Sequence, residues 1–299
     1  MNTMIQRSRL AAVVATCVGL LLAVPGRGNE RASTSSWRDD PAWHDGPAEW
    51  TEYEAHRSIY GVDRSYDATI FTNKQRMDPR TTTKASDWRA PDTIEVFKHN
   101  VSEMIPTEHY TYRFLTTCFV RTDTLEVFKL AASTQEDCGT TSHEFVVRDG
   151  RVEANESCYF PGTGRVSSTF DAPSGLMFHD ALSLRLRDYP FDDAAHPQWT
   201  VTLVPDQTDT HAVSPRPASA TVSYVGRERI RVPYGEVDCH HLRVSHAPDG
   251  GVGSSDYWFA ADRALLHVMV RYEGPYGVRY ALKHRGWWAY WDRTQPRPN

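Results

Sequence analysis

The sequence predicts an all-β protein with one short helix, built as a long antiparallel meander that forms a strongly curved sheet or an incomplete barrel. Two observations predict this fold: apolar residues alternate with polar ones in many short runs, and turn residues separate these runs at short intervals. About a dozen such runs, joined mostly by short turns, favour a meander over alternating strands and helices. Because so long a sheet must manage its edges, we expect it to curl or to close.

The alternation is clearest at 110–114, 220–224 and 268–272, where every second residue is apolar or aromatic. A period of two is typical of strands with one buried face. Pro248–Gly251 predicts a turn before a further strand that holds Asp256–Phe259.

A two-residue hairpin loop is predicted at Asp149-Gly150, because both central residues of this turn must tolerate a positive φ. The loop sets Val147 opposite Val152. Continuing the same register sets Thr141 opposite Cys158.

One helix is predicted over Leu176–Asp188, with Ser174 as its N-cap and Pro190 after its end. Leu182 and Leu186 would share its apolar face. We expect this helix to pack in or across the mouth of the curved sheet.

The N-terminus predicts export to the periplasm or the extracellular space. Arg7 and Arg9 precede an apolar run, Leu10–Val24, that ends at Pro25-Gly26, which is the pattern of a secretory signal peptide. The run is shorter than the roughly 20 residues of a membrane-spanning helix, so no transmembrane segment is expected in the mature chain. Cys17 lies inside the run without the small residue that precedes a lipidated cysteine, so no lipid anchor is expected.

The remaining chain divides by composition into two β-rich halves joined by a proline-rich linker. No sequence repeat relates the halves. The predicted boundaries are a signal peptide at 1–28, an extended arm at 29–47, an N-terminal half at 48–204, a linker at 205–217, a C-terminal half at 218–292 and a tail at 293–299.

Charge and motifs exclude several classes of function. The net charge of −5 and the absence of a basic stripe argue against nucleic-acid binding. No glycine-rich phosphate loop, Gly-x-Ser-x-Gly elbow or His-Glu-x-x-His motif occurs, so the common nucleotide enzymes, serine esterases and zinc proteases are not expected.

Cys138 has two interpretations. It could be a nucleophile with His143 as its base, provided that the two side chains come within hydrogen-bond reach. Alternatively it forms a disulfide, which an oxidising compartment favours. The predicted hairpin brings Cys158 near Cys138, and Cys118 and Cys239 are then left as a second pair. We favour at least one disulfide.

Two further groups are candidates for binding. Asp238–His241 offers metal-ligating types, but Cys239 and His241 would lie on one face of a strand and His240 on the other, so no metal site is predicted. An aromatic platform for sugar rings or acyl chains could form from four tryptophans, although packing of the core is the commoner role. These tryptophans are Trp258, Trp287, Trp288 and Trp291.

Several motifs carry a resemblance to known families. Trp43–Glu49, Gln135–Gly139 and Tyr159-Phe160 resemble a family of exported bacterial proteins of unknown function. Val232–Gly235 and Asp256–Trp258 are similar to a related family of periplasmic β-domains, also of unknown function. The resemblance implies an exported β-rich fold akin to the open barrels of lipoprotein carriers such as LolA and LolB. Fold alone does not imply function.

From these observations we expect a non-enzymatic binding or carrier module of the envelope, without a cofactor. Its ligand would be an apolar small molecule or an envelope component. The alternative is a hydrolase or transferase that depends on Cys138 and His143.

Overall fold

The computed structural model describes residues 36–44, 46–161, 164–208, 217–246 and 253–297. In these residues, sixteen strands form one sheet. In chain order the strands are β1 Ala48–Ile59, β2 Val62–Asp78, β3 Thr83–Lys84, β4 Ile94–Pro106, β5 Thr111–Arg121, β6 Val127–Glu136, β7 Gly139–Arg148, β8 Arg151–Cys158, β9 Arg165–Asp171, β10 Leu176–Phe178, β11 Trp199–Val204, β12 Ala218–Val232, β13 Gly235–His246, β14 Gly253–Ala260, β15 Met269–Glu273 and β16 Arg279–Trp288.

The sheet confirms the predicted fold class. Its strands follow the order β10-β11-β12-β13-β14-β15-β16-β1-β2-β4-β5-β6-β7-β8-β9, with β3 paired to β2. Every pairing is antiparallel except that of β10 with β11. The two edge strands of this sheet are β9 and β10, and they do not pair with each other. The sheet is therefore an incomplete barrel.

The hairpin between β7 and β8 has the predicted register. Asp149 and Gly150 both have a positive φ, of 50° and 71°. Val147 lies opposite Val152, and Thr141 lies opposite Cys158. The second predicted turn, Pro248–Gly251, lies outside the described residues, as do the predicted signal peptide with Cys17 and most of the predicted linker.

The predicted helix is shorter than expected at its start. Leu176–Phe178 is the strand β10, because its backbone pairs in parallel with Thr202–Val204. Helical structure follows as a 3-10 turn at His179–Ala181, α1 at Leu182–Arg185 and a second 3-10 turn at Leu186–Asp188. Ser174 therefore does not cap a helix.

The sheet curls around this part of the chain, residues 176–191, which we call the inner segment. Leu182 and Leu186 are fully buried in one cluster with side chains from β1, β4, β5, β12 and β14. Ala181 and Leu184 belong to a second cluster with residues of β4 to β8. Strands that are far apart in the sheet order thus contact one short segment, which occupies the concave face.

The described part of the predicted N-terminal arm consists of two 3-10 turns, Trp37–Asp39 and Pro41–His44. Trp37 and Trp43 are buried against Phe97 of β4, at ring distances of 5.2 and 5.1 Å. Among the described residues, no helix has the length and apolar character needed to cross a membrane.

Candidate functional site

Three polar side chains meet on the concave face where β10 and β11 end. Phe178 lies opposite Val204 in the one pair of described strands that is parallel. The carboxyl ends of parallel strands lie at the same edge, so the residues that follow them come together. Asp180 and Asp206 each follow this pair by two residues, and His179 accompanies them. One ligand atom of each side chain lies within 4.8 Å of the others.

Hydrogen bonds from the loop after β11 fix both carboxyl groups. The Thr208 N–H and hydroxyl each donate to Asp206 Oδ1 at 2.8 Å. The Gln207 N–H lies 3.3 Å from Asp180 Oδ2, and the Thr116 hydroxyl lies 3.4 Å from Asp180 Oδ1. The contacts of Asp180 are thus long, whereas those of Asp206 are short.

A buried ion pair borders these carboxyl groups. Arg57 Nη2 donates to Glu103 Oε2 at 3.2 Å and to the Thr208 hydroxyl at 3.1 Å. Glu103, which is 2 % exposed, also accepts hydrogen bonds from the Tyr66 and Tyr280 hydroxyls. Thr208 therefore connects the ion pair to Asp206.

Two further tyrosines contact the imidazole. The Tyr272 hydroxyl lies 3.0 Å from His179 Nε2, and the Tyr257 hydroxyl lies 3.4 Å from it. Burial lowers the pKa of His179, which keeps the ring neutral near pH 7.

Neighbouring charges and hydrogen bonds give the two buried aspartates different acidities. Burial, followed by the charge of Asp206, raises the pKa of Asp180 well above its usual value. Burial opposes ionisation of Asp206 too, but His179, Arg57 and the Thr208 hydrogen bonds together lower the pKa of Asp206. The pair therefore favours one proton on Asp180 and a negative charge on Asp206.

These groups surround a cavity of about 60 Å³. A single water needs about 10 to 15 Å³ by the same measure, so the cavity has room for an ion or a few waters and not for an acyl chain. Its polar lining is Arg57, Glu103, Thr116, His179, Asp180, Ser183, Asp206, Thr208, Tyr257, Tyr272 and Tyr280.

The predicted pair of Cys138 and His143 does not come together as a nucleophile and a base. Cys138 is exposed in the turn between β6 and β7, whereas His143 is buried on β7. Five residues of extended chain span roughly 16 Å. The thiol donates to Glu136 Oε2 at 3.3 Å, and this carboxylate raises the pKa of Cys138, the reverse of what activates a nucleophile.

The predicted disulfides are not confirmed. The four described cysteines are unbridged: Cys118 and Cys239 are buried, Cys158 is half-buried and Cys138 is exposed. Cys158 lies opposite Thr141, whose hydroxyl donates to its sulfur at 3.5 Å, and not opposite Cys138. The hairpin register is as predicted, but Cys138 and Cys158 are both free thiols.

Iodoacetamide is expected to modify Cys138 in the folded protein, while Cys118 and Cys239 react only after unfolding. Exposure gives the reagent access to Cys138, although its raised pKa keeps the reaction slow. Peptide mass mapping with and without denaturant measures the modified fraction at each cysteine. If all cysteines resist modification until a reductant is added, they are paired and this arrangement is wrong.

The glycine of the Gln135–Gly139 motif has a packing role. A Cβ atom at Gly139 would lie 2.1 Å from the Tyr159 ring, closer than any real contact. The ring of Tyr159 therefore requires a residue without a side chain at this position. Two motifs that supported the family resemblance thus contact each other.

The four tryptophans of the predicted platform mostly pack against other side chains of the protein. Trp258 is 7 % exposed, stacks on His241 at 4.3 Å and donates to Glu228. Trp287 contacts Trp43 at 4.9 Å. Trp288 contacts Trp50 and Phe71, and Trp291, which is 51 % exposed, contacts Tyr290.

The residues of Asp238–His241 do not converge on one point. His240 stacks on Phe191 of the inner segment at 4.4 Å, whereas His241 stacks on Trp258. The buried Cys239 thiol contacts the carbonyl of Val237 at 3.5 Å. The alternation expected for a strand thus separates the two histidines.

A second group of buried polar side chains lies on β6 to β8. His143 faces Glu156 across the strands, and no described residue forms a hydrogen bond with either Glu156 oxygen or with His143 Nδ1. Burial raises the pKa of Glu156 and lowers that of His143. Both shifts favour the neutral forms, which reduces the cost of leaving these atoms unpaired.

Replacing Glu156 with glutamine is expected to stabilise the protein at alkaline pH and to have little effect near pH 4. Since burial raises the pKa of Glu156, the native state binds more protons than the unfolded state between the two pKa values, so stability falls as pH rises through this interval. The variant should lack that decline and gain about 1 kcal/mol at pH 8. Urea unfolding from pH 4 to 8 measures the difference, with the exposed Glu153→Gln on the same strand as its control. Parallel pH profiles for wild type and Glu156→Gln would contradict the prediction.

Sequence reasoning missed His179, Asp180, Asp206 and the Arg57–Glu103 pair. The local signal is an aspartate two residues after the end of each of two short runs rich in apolar residues, Leu176–Phe178 and 199–204. This signal identifies a site only when the two runs are known to form neighbouring parallel strands. That could not be known here, because the sequence predicts a helix for the first run.

Comparisons with known proteins agree with the β-rich fold. Residues 203–283 match the family model described as "Protein of unknown function (DUF3108)". A crystal structure of a β-barrel-like protein of domain of unknown function DUF1849 from Brucella abortus aligns with a TM-score of 0.50 at 10 % identity, over 81 % of this chain and 98 % of that chain. No curated protein matches. The C-terminal region is thus similar to DUF3108, and most of the chain has a β-barrel-like fold similar to that of a protein of unknown function, as the resemblance in the sequence implied.

Proposed function

We propose that this chain is an exported, non-enzymatic binding module of a bacterial envelope, and that it holds a small polar ligand in the cavity of the concave face. The observation that carries the proposal is the convergence of hydroxyl, imidazole and carboxyl groups from separate parts of the chain on one cavity. Burying so many polar groups is costly unless each finds a partner. A bound ligand would supply such partners.

The size of the cavity favours a small polar ligand over the apolar molecule expected from the sequence. The inner segment fills the concave face with Leu182, Leu186, Tyr189 and Phe191. The remaining space of about 60 Å³ is far below the 300 to 1,000 Å³ of typical pockets for drug-sized molecules. An acyl chain could enter only if the inner segment left its place.

The alternative of a Cys138-dependent hydrolase or transferase has little support in the geometry. Cys138 is exposed, its pKa is raised, and His143 is buried farther along the strand. A catalytic cysteine needs the opposite shift and a base within reach.

Native mass spectrometry of protein purified gently from the envelope fraction tests the proposal. We expect a bound species that is released on unfolding and that is absent from Val101→Phe, a variant that fills the cavity. Val225→Phe, at a 50 % exposed position on β12, should retain it. Uptake of a fluorescent fatty-acid probe by the wild type would instead support an apolar carrier. Finding neither a bound species nor uptake would overturn the proposal.

A further inference from the structure

We infer that the ligand of the cavity is a divalent transition-metal cation, bound by His179, Asp180 and Asp206. This inference rests on the proposed function and names its ligand class. The three side chains offer one nitrogen and two oxygen donors within 4.8 Å of one another. Ligand atoms bound at 2.0 to 2.2 Å from a common ion lie at most about 4.4 Å apart, so small side-chain rotations would complete the set.

The charges around the cavity favour a cation of charge two, which would displace the proton that Asp180 otherwise holds. Three carboxyl groups line it, from Glu103, Asp180 and Asp206, but only one guanidinium, from Arg57. Arg57 is paired with Glu103, and among the residues that the structure describes no cationic side chain forms an ion pair with either aspartate. The long contacts of Asp180 also leave its oxygens available, because hydrogen bonds at 3.3 to 3.4 Å are weak.

An unsatisfied group on the same cavity points independently to a missing ligand. Arg57 is 9 % exposed, and its Nε–H has no hydrogen-bond partner in the described part of the chain. A buried donor of this kind usually bonds to protein or water. A water that completes the coordination of a bound cation would accept this hydrogen bond, and the cavity has room for an ion with a few waters.

A metal bound at His179 Nδ1 would leave Nε2 to the tyrosines, which is the outer contact that metal-binding histidines normally have. The ring nitrogen of such a histidine that does not bind the metal is almost always hydrogen-bonded, which fixes the ring orientation. The Tyr272 hydroxyl lies 3.0 Å from His179 Nε2. Imidazole with carboxylates suits Zn²⁺ or Mn²⁺, whereas Ca²⁺ and Mg²⁺ prefer oxygen ligands alone.

Calorimetric titration of chelator-treated protein with ZnCl₂ and MnCl₂ tests the inference. We expect the wild type to bind one ion per chain. Asp180→Asn and Asp206→Asn should each bind it at least about 100-fold more weakly. Loss of a hydrogen bond to a metal ligand already costs roughly 10- to 100-fold in affinity, and loss of a ligand itself costs more. Asp238→Asn, an exposed carboxylate on β13, should bind as the wild type does. Equal affinity in all variants would place the ion elsewhere and overturn the inference.

A readout in the wild type avoids dependence on variants that fail to fold. Met269 lines the cavity, whereas Met77 lies on β2 roughly 23 Å along the strand from the cavity residue Ile70. In protein labelled at the methionine methyl groups, Mn²⁺ should broaden the Met269 signal strongly and the Met77 signal least. A different outcome is that neither ion binds, while native mass spectrometry still finds a bound molecule that contains no metal and is absent from Val101→Phe. In that case the metal inference fails and the proposed function stands. If no species of any kind is bound, both fail.

Discussion

Replacing Arg57 with leucine is expected to lower the free energy of unfolding by about 3 to 5 kcal/mol, because it leaves the buried Glu103 carboxylate without its charged partner. Burial opposes the charge of Arg57, yet Glu103 and Asp206 raise the pKa of Arg57 well above its usual value, so the side chain is charged at any pH used. Urea unfolding followed by circular dichroism measures the loss.

The control for the Arg57→Leu substitution uses an arginine–glutamate ion pair at the surface. Arg64 contacts Glu108 at 2.8 Å, but this glutamate is 63 % exposed, so Arg64→Leu should cost less than about 1 kcal/mol. The double variant Arg57→Leu with Glu103→Gln should recover part of the loss, because the uncharged amide still accepts from Tyr66 and Tyr280. A loss below 1 kcal/mol for Arg57→Leu would show that the ion pair is not buried in solution.

Replacing Leu182 with alanine is expected to cost about 2 to 5 kcal/mol, the range for removing a fully buried leucine side chain. Leu182 anchors the inner segment against the sheet, two residues from Asp180. Loosening that anchor should also weaken binding in the cavity, since a site needs its ligands held to within a fraction of an ångström.

The matched control for Leu182 is Leu115→Ala on β5, where the side chain is 45 % exposed. Its cost should be about 0.5 kcal/mol or less. Chemical denaturation of both variants, together with the native mass measurement, separates loss of stability from loss of the site. Equal costs for the two substitutions would mean that the inner segment is not seated on the concave face.

The strands could be predicted well because their determinants are local. In β5, Tyr112 and Phe114 are buried and Arg113 between them is exposed, as the alternation indicated. At Asp149-Gly150, two residues that tolerate a positive φ set the register of the whole hairpin. Both rules act over a few residues, so the sequence contains everything that they need.

The candidate site could not be predicted because its determinants are not local. Leu176–Phe178 became a strand because β11 lies beside it, and no pattern in its own sequence indicates that neighbour. Arg57, Glu103 and Asp206 come from three distant parts of the chain and meet only after the sheet has curled. Cys138 drew attention through its motif, but the motif reflects the packing of Gly139 against Tyr159.

The position of β1 beside β16 sets the order in which this protein can fold. Ala48 pairs with Trp288, so the first and last of the described strands are neighbours inside the sheet and not at its edges. Contacts between the two ends of a chain carry a large loop-closure entropy and slow the folding rate. Until β16 has docked, β1 and β15 each present an open edge on which another chain could add a strand. Folding intermediates and chains truncated before Arg279 should therefore aggregate more readily than the complete protein.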